Sequence, residues 1–579
     1  MQHDEATSAV HSPIGPIDRP EMLADARFED LNGKKIAFVW DYVFRGDEMF
    51  PLIEAEIARR FPEASFVHHT EFGNIHGKDS DPIIEGLPQA LRSKGVDAMV
   101  VGVGNCGSCT PAVIRTALVA EKAGIPSVAL VSSGFAKQAR AVAKAMGMEN
   151  VPLAVYPGVI PFDSIETVGK KLRDTVAPAV LDGFAREVAV DEAITAYSDD
   201  PVTEFAGSYD EIQEYFYAKG WTDGLPITPP TPERVEAFLS FTDRAPSEVL
   251  GSLPPANRRV TIHSVAVNGV MSGCRPEYMP LLIAAIEAIA EPDFQLQHAG
   301  ATPGWEPLVL ISGPITKQLG FYSGTGALKV GTRANTSIGR FLRMSFRNLA
   351  GWIPGETDKG TLGSGFNVAI AEDEDQVAQI GWPTLREDLG FSKEDNVVTV
   401  QSVLVTSVPT YSGGTTPEEL MTPLRRSMAA AIGPWAFSTL WYGHSHPLIV
   451  MSPAVAGEFA RHGWSKDDIR RDLFNHVDIE AGVLETYPLH VAGQPTPLSN
   501  LVDQGVIDES YTASDDPERR IAILLRPEWT NIVVVGDPGR NQSRIIFNNH
   551  EQGQPISKLV ELPISWEAKL SRRTELATA

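Results

Sequence analysis

Residues Ala98–Lys122 read AMVVGVGNCGSCTPAVIRTALVAEK. The apolar run that follows Asp97 has the character of a buried strand. Gly102 and Gly104 permit a sharp turn after it. Thr110 suits a helix N-cap and Pro111 the first helical position, so the spacing predicts a helix over residues 112–123. Two of the three cysteines, Cys106 and Cys109, therefore fall at a strand-to-helix turn beside a helix N-terminus. Unpaired N–H groups and a partial positive charge at that end favour thiolate over thiol.

The Cys-x-x-Cys spacing leaves three readings open. One is half of a zinc site, which histidines would have to complete because Cys274 is the only other cysteine. A second is a pair of inert core thiols. The third, a reactive or redox pair, fits the general tendency of open parallel sheets to bind ligands at the C-terminal ends of their strands.

The stretch Gly104-Asn105-Cys106-Gly107-Ser108-Cys109-Thr110 resembles the UGSC family, named for a Sec-Gly-Ser-Cys motif, with Cys106 in the selenocysteine position. The segment Ala120–Val128 is distantly similar to the Sec/Cys-containing component of glycine and betaine reductases. The likeness extends through Gly220–Pro226 and Ser272–Pro280. It implies thiol or selenol chemistry and names no substrate.

Outward from the cysteine turn, strands at Lys35–Trp40, Ala64–Val67, Ser127–Val131 and Pro152–Tyr156 alternate with helical patterns at Phe50–Phe61, Ile83–Lys94 and Phe135–Met146. Such alternation predicts a parallel sheet covered on both faces, here a flavodoxin-like α/β domain over residues 33–189. Residues 1–32 read as an arm with little order of its own, and 190–207 as an acidic linker. Asp41 and Arg45 follow the first strand, and Ser132 and Ser133 a later one. All four are expected at the sheet end that carries Asn105, Ser108 and Thr110, although turn chemistry also explains such residues.

Residues 208–579 form a larger C-terminal α/β region, with two subdomains as one arrangement. Three strands, Pro307–Ile311, Pro447–Met451 and Asn531–Val535, end alike and suggest a loosely repeated unit. Cys274 and Arg275 precede a helix that Pro276 opens, repeating the logic of the first motif. Cys274 reads either as a buried turn cysteine or as a third thiol that relays oxidation. Asn335, Arg340 and Arg343 crowd one helix together with Arg347. They are either a solvated face or a clamp for a carboxylate or phosphate. His444 and His446 flank Ser445 and read as loop histidines, metal ligands or an acid–base pair. His68, His69 and His76 carry weaker signals.

The chain has 579 residues and a formal charge of -25, which argues against a nucleic-acid partner or an anionic membrane. Three cysteines make no disulfide framework, and no stretch approaches the ~20 apolar residues of a membrane span. A polar N-terminus and reduced thiols point to the cytoplasm. No nucleotide fingerprint is present, so no cofactor is predicted beyond an external dithiol such as a thioredoxin-like protein. A symmetric homo-oligomer is the general expectation for such enzymes.

The reading these features favour is a thiol-dependent enzyme on a small polar, carboxylate-bearing molecule. Cys106 is its nucleophile and Cys109 its resolving thiol, with reductive bond cleavage as the reaction. His444 or His446 would protonate the leaving group. Two alternatives use the same parts. One is a non-redox lyase or hydrolase working through a covalent adduct. The other is a metal-binding module with Cys106, Cys109, His444 and His446 as ligands.

Overall fold

The structure is a computed structural model that describes residues 7–15, 27–77, 79–148, 150–186, 203–363, 365, 368–549 and 551–571. Strand β1 (Ser8–His11) lies in the segment read as an arm. It pairs antiparallel with a strand at Thr203–Gly207, so both ends of the N-terminal domain are tied together. Residues 187–202, most of the expected linker, lie outside the described residues, as does the tail beyond 571.

The predicted α/β domain is present. Strands β2 (Lys35–Trp40), β3 (Ser65–Val67), β4 (Ala98–Gly104), β5 (Ser127–Ser132) and β6 (Leu153–Tyr156) form a parallel sheet in the order β3-β2-β4-β5-β6. Every residue of β4 is buried, as expected of a central strand covered on both faces. Helix α1 (Gly46–Arg60) packs on one face of the sheet. Helices α2 (Ser80–Ser93), α3 (Cys109–Lys122) and α4 (Ala136–Ala145) cover the other. The chain reverses direction across the sheet between β2 and β4, where ligands bind in folds of this kind.

Helix α3 begins at Cys109, three residues before the predicted start. Thr110 is thus not the N-cap. Its hydroxyl donates to the Cys106 carbonyl at 2.8 Å, and Pro111 occupies the third helical position. The backbone turns into the helix immediately after Ser108, which leaves the second cysteine inside the first turn.

The C-terminal region holds two larger sheets, of four and five strands, besides two-stranded ones. One runs Ile370–Ala371, Glu306–Ser312, Val397–Val403, Ile556–Leu559. In the other, Gln542–Phe547, Leu448–Met451 and Asn531–Val534 are neighbours. Leu308, Leu310, Leu448, Val450 and Val533 share one hydrophobic cluster between the sheets. Of the three similar strands, Leu448–Met451 and Asn531–Val534 lie side by side and parallel, whereas Glu306–Ser312 sits in the first sheet. Among the described residues, no helix is long and apolar enough to cross a membrane.

Candidate active site

Cys106 and Cys109 stand at the C-terminal end of β4 with their Sγ atoms 2.09 Å apart, at disulfide distance. The Cys109 N–H, at the open end of α3, donates to Cys106 Sγ at 2.9 Å. Cys109 is fully buried in the core under the sheet, whereas Cys106 is half-buried and faces a cavity of about 330 Å³. Gly107 between them allows close approach of the C-terminal region, since a Cβ there would meet the Gly300 carbonyl oxygen at 1.9 Å. Gln138 Nε2 donates to both Gly107 O (2.7 Å) and Thr357 O (2.8 Å), which pins the turn to the C-terminal region.

The cavity lies between the two regions, with the cysteine turn on its floor. The N-terminal domain contributes the segments after β2, β4, β5 and β6, including Phe44, Asn105, Ser132 and Phe135. The C-terminal region closes it with Trp435, Phe437, Trp441 and Tyr442 from one helical stretch and Tyr487 from the helix Ala481–Ala492. The wall is rich in aromatic side chains, with polar ones such as Thr302, His490 and Gln494 among them, and no Lys or Arg is among its described lining residues.

The histidine beside the thiols is His76, in the loop before α2. Its Nε2 lies 3.0 Å from the Tyr442 hydroxyl, 3.3 Å from Ser108 Oγ and 3.9 Å from Cys106 Sγ. Burial, and then the nearby His298 and Arg115, hold its pKa well below the usual histidine value, so the ring is neutral. Burial pushes the Tyr442 phenol up, so it keeps its proton and can donate to Nε2. With Nε2 as acceptor the ring proton sits on Nδ1, which is buried and has no hydrogen-bond partner among the described residues. Glu551 also lines the cavity and is hydrogen-bonded to Ser108. Burial pushes its carboxyl up to about 7, and Oε2 is buried without a hydrogen-bond partner among the described residues.

The other predicted site residues divide. Asn105 and Ser132 line the cavity, and Ser108 sits 3.5 Å from Cys106 Sγ between that atom and His76. Asp41 does not reach the cavity: it is buried and accepts the Val103 N–H at 2.8 Å, joining the ends of β2 and β4. Tyr42, Val43 and Phe44, the residues after it, line the wall instead. Arg45 is consumed by Glu48 and by the Asp163 carbonyl at 2.7 Å. Ser133 is exposed and accepts the Gly158 N–H at 3.1 Å.

The predicted C-terminal clamp is elsewhere and structural. Arg340 forms a two-point pair with Asp223, both contacts at 2.8 Å, and Arg343 pairs with Glu306 at 3.2 Å. Asn335 is consumed by the backbone of Tyr322 and Ala369. Arg275 lies beside Glu277, outside the described lining of the cavity. Cys274 lies outside the described lining of the cavity. It lies in the C-terminal hydrophobic core, donates to the Ser337 carbonyl at 3.3 Å, and burial pushes it up to about 12.

His444 and His446 lie in the turn after the helix Ala436–Tyr442, not on a strand. His446 packs on Trp529 with ring centroids 4.8 Å apart, and burial lowers the two histidines to about 4 and about 3. Neither lines the cavity. The segment WYGHSHP does serve the site, but through Trp441 and Tyr442. His76 and Glu551 lacked any motif; the fold of the N-terminal domain brings His76 to Cys106, and packing of the two regions brings Glu551 to the cavity.

Residues 9–185 match the family model described as the UGSC family. Neither a curated protein nor a solved structure matches the chain.

Proposed function

Residues 9–185 belong to the UGSC family, and from that premise we propose that the protein is a thiol-dependent reductase whose nucleophile is Cys106 and whose resolving thiol is Cys109. The observation that carries this reading is the position of Cys106 Sγ. It faces the cavity, sits at disulfide distance from Cys109 and lies 3.9 Å from Nε2 of a neutral imidazole.

In the reduced protein, His76 Nε2 takes the Cys106 proton, and the N-terminus of α3 favours the thiolate. The thiolate attacks the carbon of a polarised R–X bond, forming Cys106 S–R as the R–X bond breaks. Glu551, in its neutral form, gives its proton to X. The Cys109 sulfur, its proton returning to the Glu551 carboxylate, attacks Cys106 sulfur. The disulfide forms and R leaves with the electron pair, taking the proton held by His76. The balance is R–X plus two thiols to RH, HX and one disulfide. A carbonyl next to the reacting carbon of R stabilises the departing pair. An external dithiol protein, thioredoxin-like, then exchanges with the disulfide and resets the pair. The distant likeness of Ala120–Val128 to glycine and betaine reductase components supports the reductive direction.

The aromatic wall and the absence of a cation from its described lining favour a substrate with a neutral, flat apolar body, in place of the carboxylate expected from the sequence. A single-turnover experiment tests the chemistry. Reduced protein is mixed, without further reductant, with neutral aryl ketones carrying a leaving group beside the carbonyl. One disulfide per molecule cleaved is expected. A substrate consumed while both thiols stay free would replace the reductase with the adduct-forming lyase or hydrolase.

A further inference from the structure

We propose that the reduced Cys106–Cys109 pair and His76 form a three-ligand site for a thiophilic divalent cation of the zinc type, with its fourth position open to the cavity. This goes beyond the reductase reading and does not depend on it, because it concerns what the reduced pair binds.

The ligand atoms Cys106 Sγ, Cys109 Sγ and His76 Nε2 all lie within 4.8 Å of one another. Tetrahedral zinc with Zn–S and Zn–N distances of about 2.3 and 2.0 Å places its ligand atoms about 3.5–3.8 Å apart. Cys106 Sγ and His76 Nε2 are already 3.9 Å apart. Only the two sulfurs, at 2.09 Å, must separate, and reduction removes the bond that holds them. Their Cα atoms are 5.3 Å apart, close enough for both thiolates to reach one ion.

Charge favours the same outcome. Two thiolates at a buried turn are costly alone, whereas two thiolates, a neutral imidazole and a divalent cation sum to zero. His76 binds through Nε2, with the ring proton on Nδ1. Tyr442 and Ser108, which now meet Nε2 at 3.0 and 3.3 Å, must yield that nitrogen to the ion. The histidines of the set differ from the sequence expectation: His444 and His446 are not in the cluster. Metal and disulfide exclude each other here, since both use the same two sulfurs.

The full chain, reduced with a phosphine and freed of it without air, is titrated with Co²⁺ alone and then Zn²⁺, following absorption. One equivalent of Co²⁺ with thiolate-to-metal charge-transfer bands is expected, discharged by Zn²⁺ and absent from the oxidised protein. His76→Ala should weaken Co²⁺ binding by at least about tenfold, Cys109→Ser should reduce the charge-transfer band, and Cys274→Ser should change neither. Circular dichroism reports the fold of each variant, and His76→Gln replaces His76→Ala if that variant fails to fold. Reduced wild-type protein without a charge-transfer band would overturn the site, as would a band that needs Cys274 or survives in folded His76 variants at unchanged affinity.

Discussion

His76 Nε2 and the Tyr442 hydroxyl are 3.0 Å apart across 366 positions of sequence, one from the N-terminal domain and one from the C-terminal region. A residue of the C-terminal region thus meets the same imidazole nitrogen that faces Cys106. The Tyr442 hydroxyl and the Cys106 thiol compete for the same lone pair. His76→Ala should slow iodoacetamide labelling of reduced Cys106 at neutral pH by about 10²-fold, because the base is lost. Tyr442→Phe should speed it, because Nε2 is released to the thiol. Peptide mass spectrometry reads both rates.

Labelling should also depend on redox state. In oxidised protein Cys106 and Cys109 share one bond and neither reacts. After reduction Cys106, which faces the cavity, should label well ahead of the fully buried Cys109. Cys274, buried and pushed up to about 12, should remain unlabelled in both states below pH 9.

Glu551 carries the pH dependence. Its carboxyl is raised from the usual 4.5 to about 7 by burial, so it is a proton donor below that value and an anion above it. Single-turnover cleavage should fall as pH rises through about 7. Glu551→Gln should remove that limb and lower the plateau by about 10²-fold. The sign for stability is the same: the neutral carboxyl contributes fully below 4.5, and the contribution is lost as pH rises through about 7. Thermal melting of Glu551→Gln should therefore be flatter between pH 5 and 8 than that of wild type.

Arg340 tests the structural reading of the arginine helix. Its side chain and that of Asp223 are each mostly buried and joined at two points. Arg340→Ala leaves that carboxylate without its guanidinium and should cost about 2–3 kcal/mol in denaturant unfolding. Reduced Cys106 should label at the wild-type rate in the same variant.

Gly107→Ala places a methyl group against the Gly300 carbonyl. The two backbones must move apart, at a cost of about 1–3 kcal/mol. Tryptophan fluorescence should report a looser aromatic wall, because Trp435 and Trp441 close the cavity from the same C-terminal region.

The sequence by itself determined the N-terminal sheet and the place of the thiols on it. Strand and helix periods are local, and the run Ala98–Gly104 ahead of a glycine-cysteine turn admits one reading of its neighbours. Local pattern erred where a turn was tighter than the side chains announced, so Thr110 braces the Cys106 carbonyl within the first turn of α3 instead of capping the helix. The partners of Cys106 were decided only by tertiary structure. His76, Tyr442 and Glu551 belong to three loops or helix ends with no fixed spacing to the motif, and a hydrogen bond between distant residues leaves no period in a sequence. Conversely, Arg340, Arg343, Asn335 and Cys274 carry strong chemical signals on sequence, yet folding consumes them. Buried or half-buried polar groups need partners, and Asp223, Glu306, the Tyr322 and Ala369 backbone and the Ser337 carbonyl supply them. Residue type sets which reactions a side chain can perform, and packing sets which of those side chains remain free to face a cavity.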